Sequence, residues 1–246
     1  MREGGKILAR TLRALKEFTL ARYSHRDLTG LVVNEEAERL LQEAGVAPSF
    51  RGYSYPGSRG KFPTAICLSL NEEVVHGIPD ERVLKEGDIV SIDLGVFYKG
   101  LHTDAAISFV LGEGSAADRK LLKITEEALS RGVDQVRVGN KVGAIGHAIE
   151  MYVVPYGYSL VHDYAGHGVG HAIHEEPSVP NYGSPDQGVV IKEGMVLALE
   201  PMVLAGREEV IVRQNGWTVA ARDGSRAAHF EHTVAATRDG PVILTQ

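Results

Sequence analysis

Apolar residues recur at helical spacing in several segments of the chain. Near the N-terminus they lie adjacent or three to four positions apart, which predicts a helix with one buried face. These positions are Ile7, Leu8, Leu12, Leu15 and Phe18. A second helix has its apolar positions facing inward and Gly45 as its stop signal. The predicted helices cover residues 1–18, 31–44, 116–131 and 142–152.

Other segments have the continuous apolar runs of buried strands. "TAICLSL" (64–70) predicts one short strand, and residues 82–112 predict two strands joined by a turn at Tyr98-Lys99-Gly100. Residues 50–63 are rich in glycine, proline and aromatic residues and predict a loop. Turns and strands alternate after a stretch rich in glycine and histidine at 166–174. The elements together indicate an α+β protein.

Two nine-residue segments resemble each other. "KEGDIVSID" (85–93) and "KEGMVLALE" (192–200) both begin with Lys-Glu-Gly, continue as a mostly apolar strand and end in an acid. Six of the nine positions differ, so chance similarity is the alternative to internal duplication. Duplication would relate the two halves of the chain by a pseudo-twofold axis. Asp93 and Glu200 would then approach one central site from either half.

The predicted hairpin brings two further acids together. If the turn is centred between Tyr98 and Lys99, Asp93 lies opposite Asp104, with Cβ atoms roughly 4.5–5.5 Å apart. Like charges at that distance destabilise a hairpin unless a cation lies between them. The alternative is a different register with both acids solvated. The apolar surroundings of Asp93 favour the cation.

Histidines and one more acid complete the candidate chemistry. His167, His171 and His174 lie among glycines, which disfavour a helical zinc motif. A solvated or purely structural histidine is the alternative at each position. "HFEHTV" places Glu231 beside apolar residues in another predicted strand. Several carboxylates with a histidine suit two bridged divalent ions, with Mn, Fe or Co favoured by mixed oxygen and nitrogen ligands.

Composition narrows the class of protein. The chain has 246 residues, 43% hydrophobic and 24% charged, which predicts one globular domain spanning 1–246. The net charge of −6 argues against direct nucleic-acid binding. Cys67 is the sole cysteine, so a reducing compartment is expected. No apolar run approaches the roughly 18–20 residues of a membrane span, and no secretory signal is present. We therefore expect a cytoplasmic monomer that does not bind membranes.

Five motifs, in order along the chain, carry a family resemblance. They are "NEEVVHGIP" (71–79), "DIVSIDLGVFYKGLHTDAAISF" (88–109), "GHGVGHAIHEEP" (166–177), "LALEPM" (197–202) and "WTV" with "FEHTV" (217–234). With these motifs the chain resembles type I methionine aminopeptidases, of the M24-like pita-bread metallopeptidases. The resemblance implies a curved, mainly antiparallel sheet with outer helices and an internal pseudo-twofold. Only 31 residues separate Glu200 from Glu231, too few for the helical insertion of type II enzymes.

The resemblance also implies a set of metal ligands. They are Asp93, Asp104, His167, Glu200 and Glu231. Asp104 and Glu231 would bridge two divalent ions, with Asp93 on one ion and His167 and Glu200 on the other. The identity of the ions, Co, Mn, Fe or Zn, stays open. Glu200 would also handle protons for the activated water.

Two more histidines are assigned to the substrate by the resemblance. His174 would lie near the scissile carbonyl and His76 near the peptide nitrogen, so that both are catalytic with Glu200. A solvated turn histidine is the alternative for His76, and an ion pair with Glu175 or Glu176 is the alternative for His174.

The same resemblance implies an apolar pocket for the methionine side chain. Its lining would be Phe50, Tyr53, Ile173 and Trp217, with His76 at its edge. Ile173 replaces an aromatic residue that some members carry. Phe50 and Trp217 could instead be plain core residues. The loop at 54–63 is expected near the pocket rim, with no role assigned.

The implied activity is removal of the initiator methionine from nascent chains and peptides, with preference for a small second residue. Nascent chains would be the partners, and transient ribosome association is left open. Two alternatives remain. A proline-directed pita-bread peptidase would usually have a sizeable extra N-terminal domain. A metal-free binding protein on the same fold would be expected to lack one or more of the five ligands.

Overall fold

The fold combines four α-helices with fifteen short strands in a computed structural model, which describes residues 1–24, 27–55 and 57–246. The helices are α1 (Arg2–Arg22), α2 (Gly30–Glu43), α3 (Ala116–Val133) and α4 (Gly143–Val153), with a 3₁₀ turn at Val154–Tyr156. The strands are β1 (Ala47–Pro48), β2 (Cys67–Leu70), β3 (Glu73–Val75), β4 (Ile89–Tyr98), β5 (Leu101–Val110), β6 (Ser159–Leu160), β7 (Gly166–Gly168), β8 (Glu175–Val179), β9 (Val196–Leu199), β10 (Met202–Leu204), β11 (Val210–Val212), β12 (Val219–Ala221), β13 (Ala227–His229), β14 (Glu231–Thr237) and β15 (Gly240–Ile243).

The first two helices follow their sequence signals. In α1 the predicted apolar face is buried, and Leu8, Leu12 and Leu15 are at most 3% exposed. α1 also continues four residues beyond the predicted end. In α2 the hydroxyl of Thr29 accepts a hydrogen bond from the backbone N–H of Val32 (3.3 Å), a standard N-terminal cap. Gly45, at φ +66°, ends α2 in the left-handed conformation that glycine adopts without strain.

The second helix pair is closely packed. Ser115 and Asp118 form a reciprocal capping box at the start of α3. Gly132 of α3 faces α4, where an added Cβ would lie 2.9 Å from Ile149. The predicted helices at 116–131 and 142–152 are thus confirmed to within two residues. Among the described residues, no helix combines the length and apolarity needed to cross a membrane.

A nine-stranded antiparallel sheet forms the centre of the fold. Its strand order is β1-β4-β5-β14-β9-β7-β8, with β2 also paired to β4 and β15 to β14. Two three-stranded sheets, β13-β10-β6 and β11-β12-β3, complete the strand structure. The predicted α+β pita-bread class, with a curved antiparallel sheet and outer helices, is confirmed.

Side-chain alternation divides the large sheet into two faces. On β4, Ile92 and Leu94 pack with the α1–α2 core, while Asp93 between them points to the opposite face. On β9, Leu197 and Leu199 join the α3–α4 core in the same way. Each helix pair therefore covers one half of the same sheet face. Asp93 lies on the opposite face, which the helices leave uncovered.

The two Lys-Glu-Gly segments fold alike. Gly87 and Gly194 both have φ +84°. In the first turn the N–H of Asp88 donates to the carbonyl of Lys85 (3.0 Å), and in the second Met195 donates to Lys192 (3.1 Å). β4 and β9, which follow these turns, occupy matching places on either side of β5 and β14. The matching turns and strand positions support internal duplication over chance similarity.

The predicted register of the β4–β5 hairpin is wrong. Tyr98 pairs with Leu101, so the loop is Lys99-Gly100, and both loop residues have positive φ (51° and 83°). The turn is therefore centred one residue later than expected, because this pair adopts the left-handed conformation of a two-residue hairpin loop. Asp93 pairs with Ala106, and Asp104 pairs with Gly95.

Candidate active site

Three carboxylates from three adjacent strands meet on the sheet face that the helices leave uncovered. Asp93 of β4 pairs with Ala106 of β5, and Ala106 pairs with Glu231 of β14. Asp104 lies two residues from Ala106 on the same face. One oxygen of each acid lies within 4.8 Å of the others. Strand pairing thus brings together three negative groups that are far apart in sequence.

A histidine and a fourth acid approach this cluster from β7 and β9. His167 pairs with Ala198, and Glu200 follows the last residue of β9 on the same face. The Nε2 atom of His167 lies 3.5 Å from Glu200 Oε1 and 4.0 Å from Asp104 Oδ2. Its Nδ1 donates a hydrogen bond to the carbonyl of Gly168 (2.8 Å). That bond fixes the tautomer in which Nε2 keeps its lone pair for a ligand.

The acids lack compensating positive charge among the described residues. Burial and mutual repulsion raise the pKa values of Asp93, Asp104 and Glu231 well above their ordinary range. One oxygen on each is buried and has no hydrogen-bond partner among the described groups. A cation bound between the carboxylates would satisfy these oxygens and remove the repulsion, so the residues fit a metal centre.

Glu200 differs electrostatically from the three other acids. Burial raises the pKa of its carboxyl, but the adjacent imidazoles of His229 and His167 outweigh burial, so that the pKa lies below its usual value. Asn181 also donates to the backbone carbonyl of Glu200 (3.0 Å). The acid at the end of the second Lys-Glu-Gly strand therefore favours its ionised form.

The donor set suits divalent ions. Ligand atoms fall into three overlapping groups, in which Asp104, Glu231 and His167 each occur twice: Asp93 with Asp104 and Glu231, His167 with Glu200 and Glu231, and Asp104 with His167 and His174. Mixed carboxylate and imidazole donors are typical of sites for Mn, Fe, Co or Zn, whereas structural zinc sites usually contain cysteine.

Two histidines border the acid cluster. His76 follows β3 with φ +58°, a conformation that non-glycine residues seldom adopt and that often marks a functional site. Burial lowers its pKa to about 4. The ring of His174 lies 4.4 Å from that of His167 and 4.9 Å from that of Tyr53. Although His174 is partly exposed to solvent, desolvation of its ring by these neighbours lowers its pKa too. Both imidazoles are therefore neutral at pH 7, each with one N–H to donate.

An apolar cavity of about 250 Å³ opens beside the acids. Its wall is largely aromatic, and the carboxylates and histidines occupy one side. The lining residues are Phe50, Tyr53, Tyr55, Phe62, Cys67, Val75, His76, Asp93, Asp104, Tyr164, Ala165, His167, His174, Glu200, Trp217 and Glu231. A cavity of this kind accepts an apolar side chain and presents the adjoining polar group to the charged side.

Sequence comparison identifies the family. A profile of the metallopeptidase family M24 matches residues 1–238. The chain belongs to this family. As an M24 metallopeptidase it is a hydrolase that uses divalent metal, in agreement with the acid and histidine cluster.

Relatives of this M24 peptidase are similar over their whole length. Methionine aminopeptidase 1 of Bacillus subtilis (strain 168) is 46% identical over 246 residues, covering 100% of this chain and 95% of the relative. A methionine aminopeptidase of Clostridium acetobutylicum is also 46% identical, with 100% and 94% covered. The crystal structure of methionine aminopeptidase from Thermotoga maritima superposes with a TM-score of 0.93 at 40% identity, covering 100% of this chain and 95% of that one.

The structure gathers most of the residues singled out in the sequence. All five expected ligands lie in the cluster, and Phe50, Tyr53 and Trp217 line the cavity with His76 and His174. Ile173 packs in the same hydrophobic cluster but behind the wall, beside Gly95, and does not line the cavity. His171 is exposed and belongs to none of the candidate ligand groups.

Several cavity residues were missed by sequence reasoning. They are Tyr55, Phe62, Cys67, Val75, Tyr164 and Ala165. Tyr55 and Phe62 belong to the loop expected near the pocket rim; Phe62 is buried in the wall, while Tyr55 stacks on Trp217 with ring centroids 5.4 Å apart. The aromatic content of this loop was the available signal. Cys67 could have been found from its pairing with Asp93 across β2 and β4.

Proposed function

We propose that this M24 peptidase removes the N-terminal methionine from peptides and nascent chains, with two divalent ions held by its acid cluster. The observation that carries the proposal is the contact between an apolar, aromatic cavity and the carboxylates and imidazoles beside it. The unbranched methionine side chain would fill the cavity, and its amine and carbonyl would face the charged side. The names of the full-length relatives support the same activity.

The proposed ligand scheme follows the overlap of the donor groups. Asp104, Glu231 and His167 each belong to two groups, but only the two carboxylates have two oxygens to offer, since His167 Nδ1 is bonded to Gly168. Asp104 and Glu231 would therefore be shared between the ions, while Asp93 would serve one ion and His167 with Glu200 the other. When bound, the ions would supply a nucleophilic water at neutral pH and polarise the substrate carbonyl. Co, Mn, Fe and Zn all fit this set of donors.

The protein side chains have separate proposed tasks. Glu200 favours its ionised form and would take the proton from the attacking water, then pass it to the departing amine. Neutral His174, beside His167, would donate to the carbonyl oxygen as that atom gains negative charge. Neutral His76, on the cavity wall, would contact the peptide nitrogen. These tasks require an ionised Glu200 and neutral His174 and His76, which are the forms that their shifted pKa values favour at neutral pH.

The substrate preference is also part of the proposal. With methionine in the cavity, the second residue would lie beside the acid cluster, where the family resemblance implies room for a small side chain only. Nascent chains present such N-termini in the cytoplasm, so transient association with the ribosome belongs to the same proposal. Phe50, Tyr53 and Trp217 would contact the methionine side chain, and Ile173 would support them from behind the wall.

A peptide assay tests the proposal. Chelator-treated protein is titrated with Mn(II) or Co(II), and methionine release is compared for Met-Ala-Ser and Met-Lys-Ser. We expect metal-dependent cleavage of the first peptide only. Glu200→Gln should reduce kcat by about 100-fold or more, the range for removing a proton-transfer group. Glu193→Gln changes an exposed acid of the same turn-and-strand segment and should leave the rate unchanged.

Each contrary outcome removes a defined part of the proposal. Equal cleavage of both peptides would contradict the second-residue preference. Absence of release with either Mn(II) or Co(II) would contradict the activity and favour the binding-protein alternative. Saturation at one ion per chain in a metal titration would contradict the two-ion scheme.

A further inference from the structure

A buried histidine faces the outer oxygen of Glu200. His229 is the last residue of β13, and its side chain is 2% exposed. Its Nε2 lies 3.6 Å from Glu200 Oε2, while Nε2 of His167 lies 3.5 Å from the other oxygen, Oε1. The Glu200 carboxylate therefore lies between two imidazoles. His167 belongs to the candidate ligand set, and His229 does not.

The Nε2 atom of His229 has no alternative hydrogen-bond acceptor in the part of the chain that the structure describes. Among the described residues this atom is buried without a hydrogen-bond partner other than the carboxylate it faces. A buried N–H without an acceptor is costly, so Glu200 Oε2 is its natural acceptor. The 3.6 Å separation is only slightly beyond hydrogen-bond distance, and a small rotation of either side chain closes it.

The backbone of His229 is held rigidly. The hydroxyl of Ser108 accepts from the N–H of His229 (3.1 Å) and donates to its carbonyl (2.5 Å). The hydroxyl of Ser91 lies 2.6 Å from that of Ser108. Met202 of β10 pairs with His229 on its other side. Side-chain bonds from β5 and strand pairing with β10 thus fix the position from which the imidazole projects.

Glu200 needs such support because it lies just beyond the end of β9. Its carbonyl accepts from Asn181 Nδ2 (3.0 Å), which fixes the backbone but leaves the carboxylate free to rotate. Contact with His229 restrains that rotation. With Oε2 held by an imidazole N–H, Oε1 remains directed at His167 and the metal-binding side.

We propose that His229 is a positioning residue that donates a hydrogen bond from Nε2 to Glu200 Oε2 and so orients Oε1 toward the metal centre. The proposal rests on the proposed function for the role of Glu200. Partners of metal ligands typically change metal affinity or activity by about 10–100-fold when they are removed. His229 acts through Glu200 and does not contact the substrate.

Two substitutions separate hydrogen bonding from packing. His229→Leu removes the donor and keeps an apolar side chain in the buried space. His229→Gln keeps an N–H that can reach the carboxylate. His147→Leu is the control, because the His147 side chain makes one hydrogen-bond contact, with the carbonyl of Gly183, but lies on α4, outside the site. Thermal unfolding of the three metal-free variants establishes that each is folded.

The first readout is Mn(II) binding by calorimetry to chelator-treated protein, and the second is kcat and KM on Met-Ala-Ser. We expect His229→Leu to weaken Mn(II) binding or lower kcat by about 10–100-fold, with KM changed little, and His229→Gln to restore most of the loss. Co(II)-loaded His229→Leu should also show an altered visible absorption spectrum. Equal losses in the Leu and Gln variants, or wild-type Mn(II) binding and kcat in His229→Leu, would overturn the proposal.

The test of His229 gives a result even if the proposed methionine-releasing activity is absent. If wild-type protein binds Mn(II) but cleaves no methionine peptide, the activity proposal fails. The calorimetric comparison of the variants still decides whether His229 orients Glu200. If His229→Gln is unfolded, the Co(II) spectrum and Mn(II) affinity of His229→Leu, each compared with wild type, still decide the proposal.

Discussion

The hydroxyl of Thr233 binds both backbone groups of Asp104. It accepts from the N–H of Asp104 (2.8 Å) and donates to its carbonyl (2.7 Å). Regular pairing of β5 with β14 extends over Glu231 and His232 only, so this side chain continues the strand contact where the backbone ladder stops. The candidate ligand Asp104 is thus fixed by a fully buried threonine from the strand that carries Glu231.

Thr233→Val should destabilise the protein. Valine keeps the shape of threonine but leaves the buried N–H of Asp104 without a partner, which costs about 1–3 kcal/mol. Thr233→Ser retains the hydroxyl and should lose less. The free energy of unfolding from urea titration, measured with a chelator, checks this. Equal stability of the Val and wild-type proteins would show that the hydroxyl contributes nothing.

Asp104→Asn should change the pH dependence of stability in metal-free protein. The folded-state pKa of Asp104 is raised above its ordinary 3.8 by burial and the charge of Glu200. The stability it contributes is therefore present at low pH and lost as pH rises through the raised pKa. The Asn variant should be more stable than wild type at pH 8, with an advantage that shrinks as pH falls.

Thermal unfolding from pH 5 to pH 8 with a chelator measures this advantage. The histidines with lowered pKa values are present in both proteins, so their contribution cancels in the difference. Asp186→Asn, at an exposed acid, should show no such trend. With saturating Mn(II) the order should reverse, because the wild-type protein gains the binding free energy of the ion. A pH-independent difference would contradict the repulsion argument.

Tyr55→Ala should weaken substrate binding without unfolding the protein. Tyr55 is 44% exposed and stacks edge-on against Trp217 at the cavity wall. Tyr55 also lines the cavity, so its removal takes away an aromatic wall contact with the bound methionine side chain. A sulfur–aromatic contact worth up to about 1.5 kcal/mol predicts a KM for Met-Ala-Ser about 2- to 10-fold higher, with kcat retained. Tyr156 is a matched control, because it is 45% exposed and stacks on Tyr152 away from the site. The idea fails if both variants have the same KM.

The convergence of the acids could be predicted although the hairpin register could not. The expected and observed pairings of Asp93 differ by two residues, and a shift of two keeps a side chain on the same face. The turn centre was misplaced because the left-handed conformation of Lys99 is set by strand twist and is not evident from its residue type. The sheet face of a motif residue was therefore easier to predict than its pairing partner.

Contacts between distant segments were beyond sequence reasoning. Tyr55 and Phe62 could be assigned to a loop, but their stacking on Trp217 depends on how that loop folds back. Ile173 was expected on the cavity wall but lies against Gly95 of β4, a contact between distant segments that the sequence does not show. His229 is two residues from Glu231, yet its relation to Glu200 exists only after β10 and β13 have paired.

The matching Lys-Glu-Gly turns have a consequence for assembly. Neither half of the duplicated chain contains the whole candidate ligand set: Asp93 and Asp104 come from the first half, and His167, Glu200 and Glu231 from the second. A fragment that stops before β14 lacks Glu231 and cannot complete the cluster. Binding of metal by the complete ligand set would therefore require both halves to be folded, and bound metal would crosslink them at their junction.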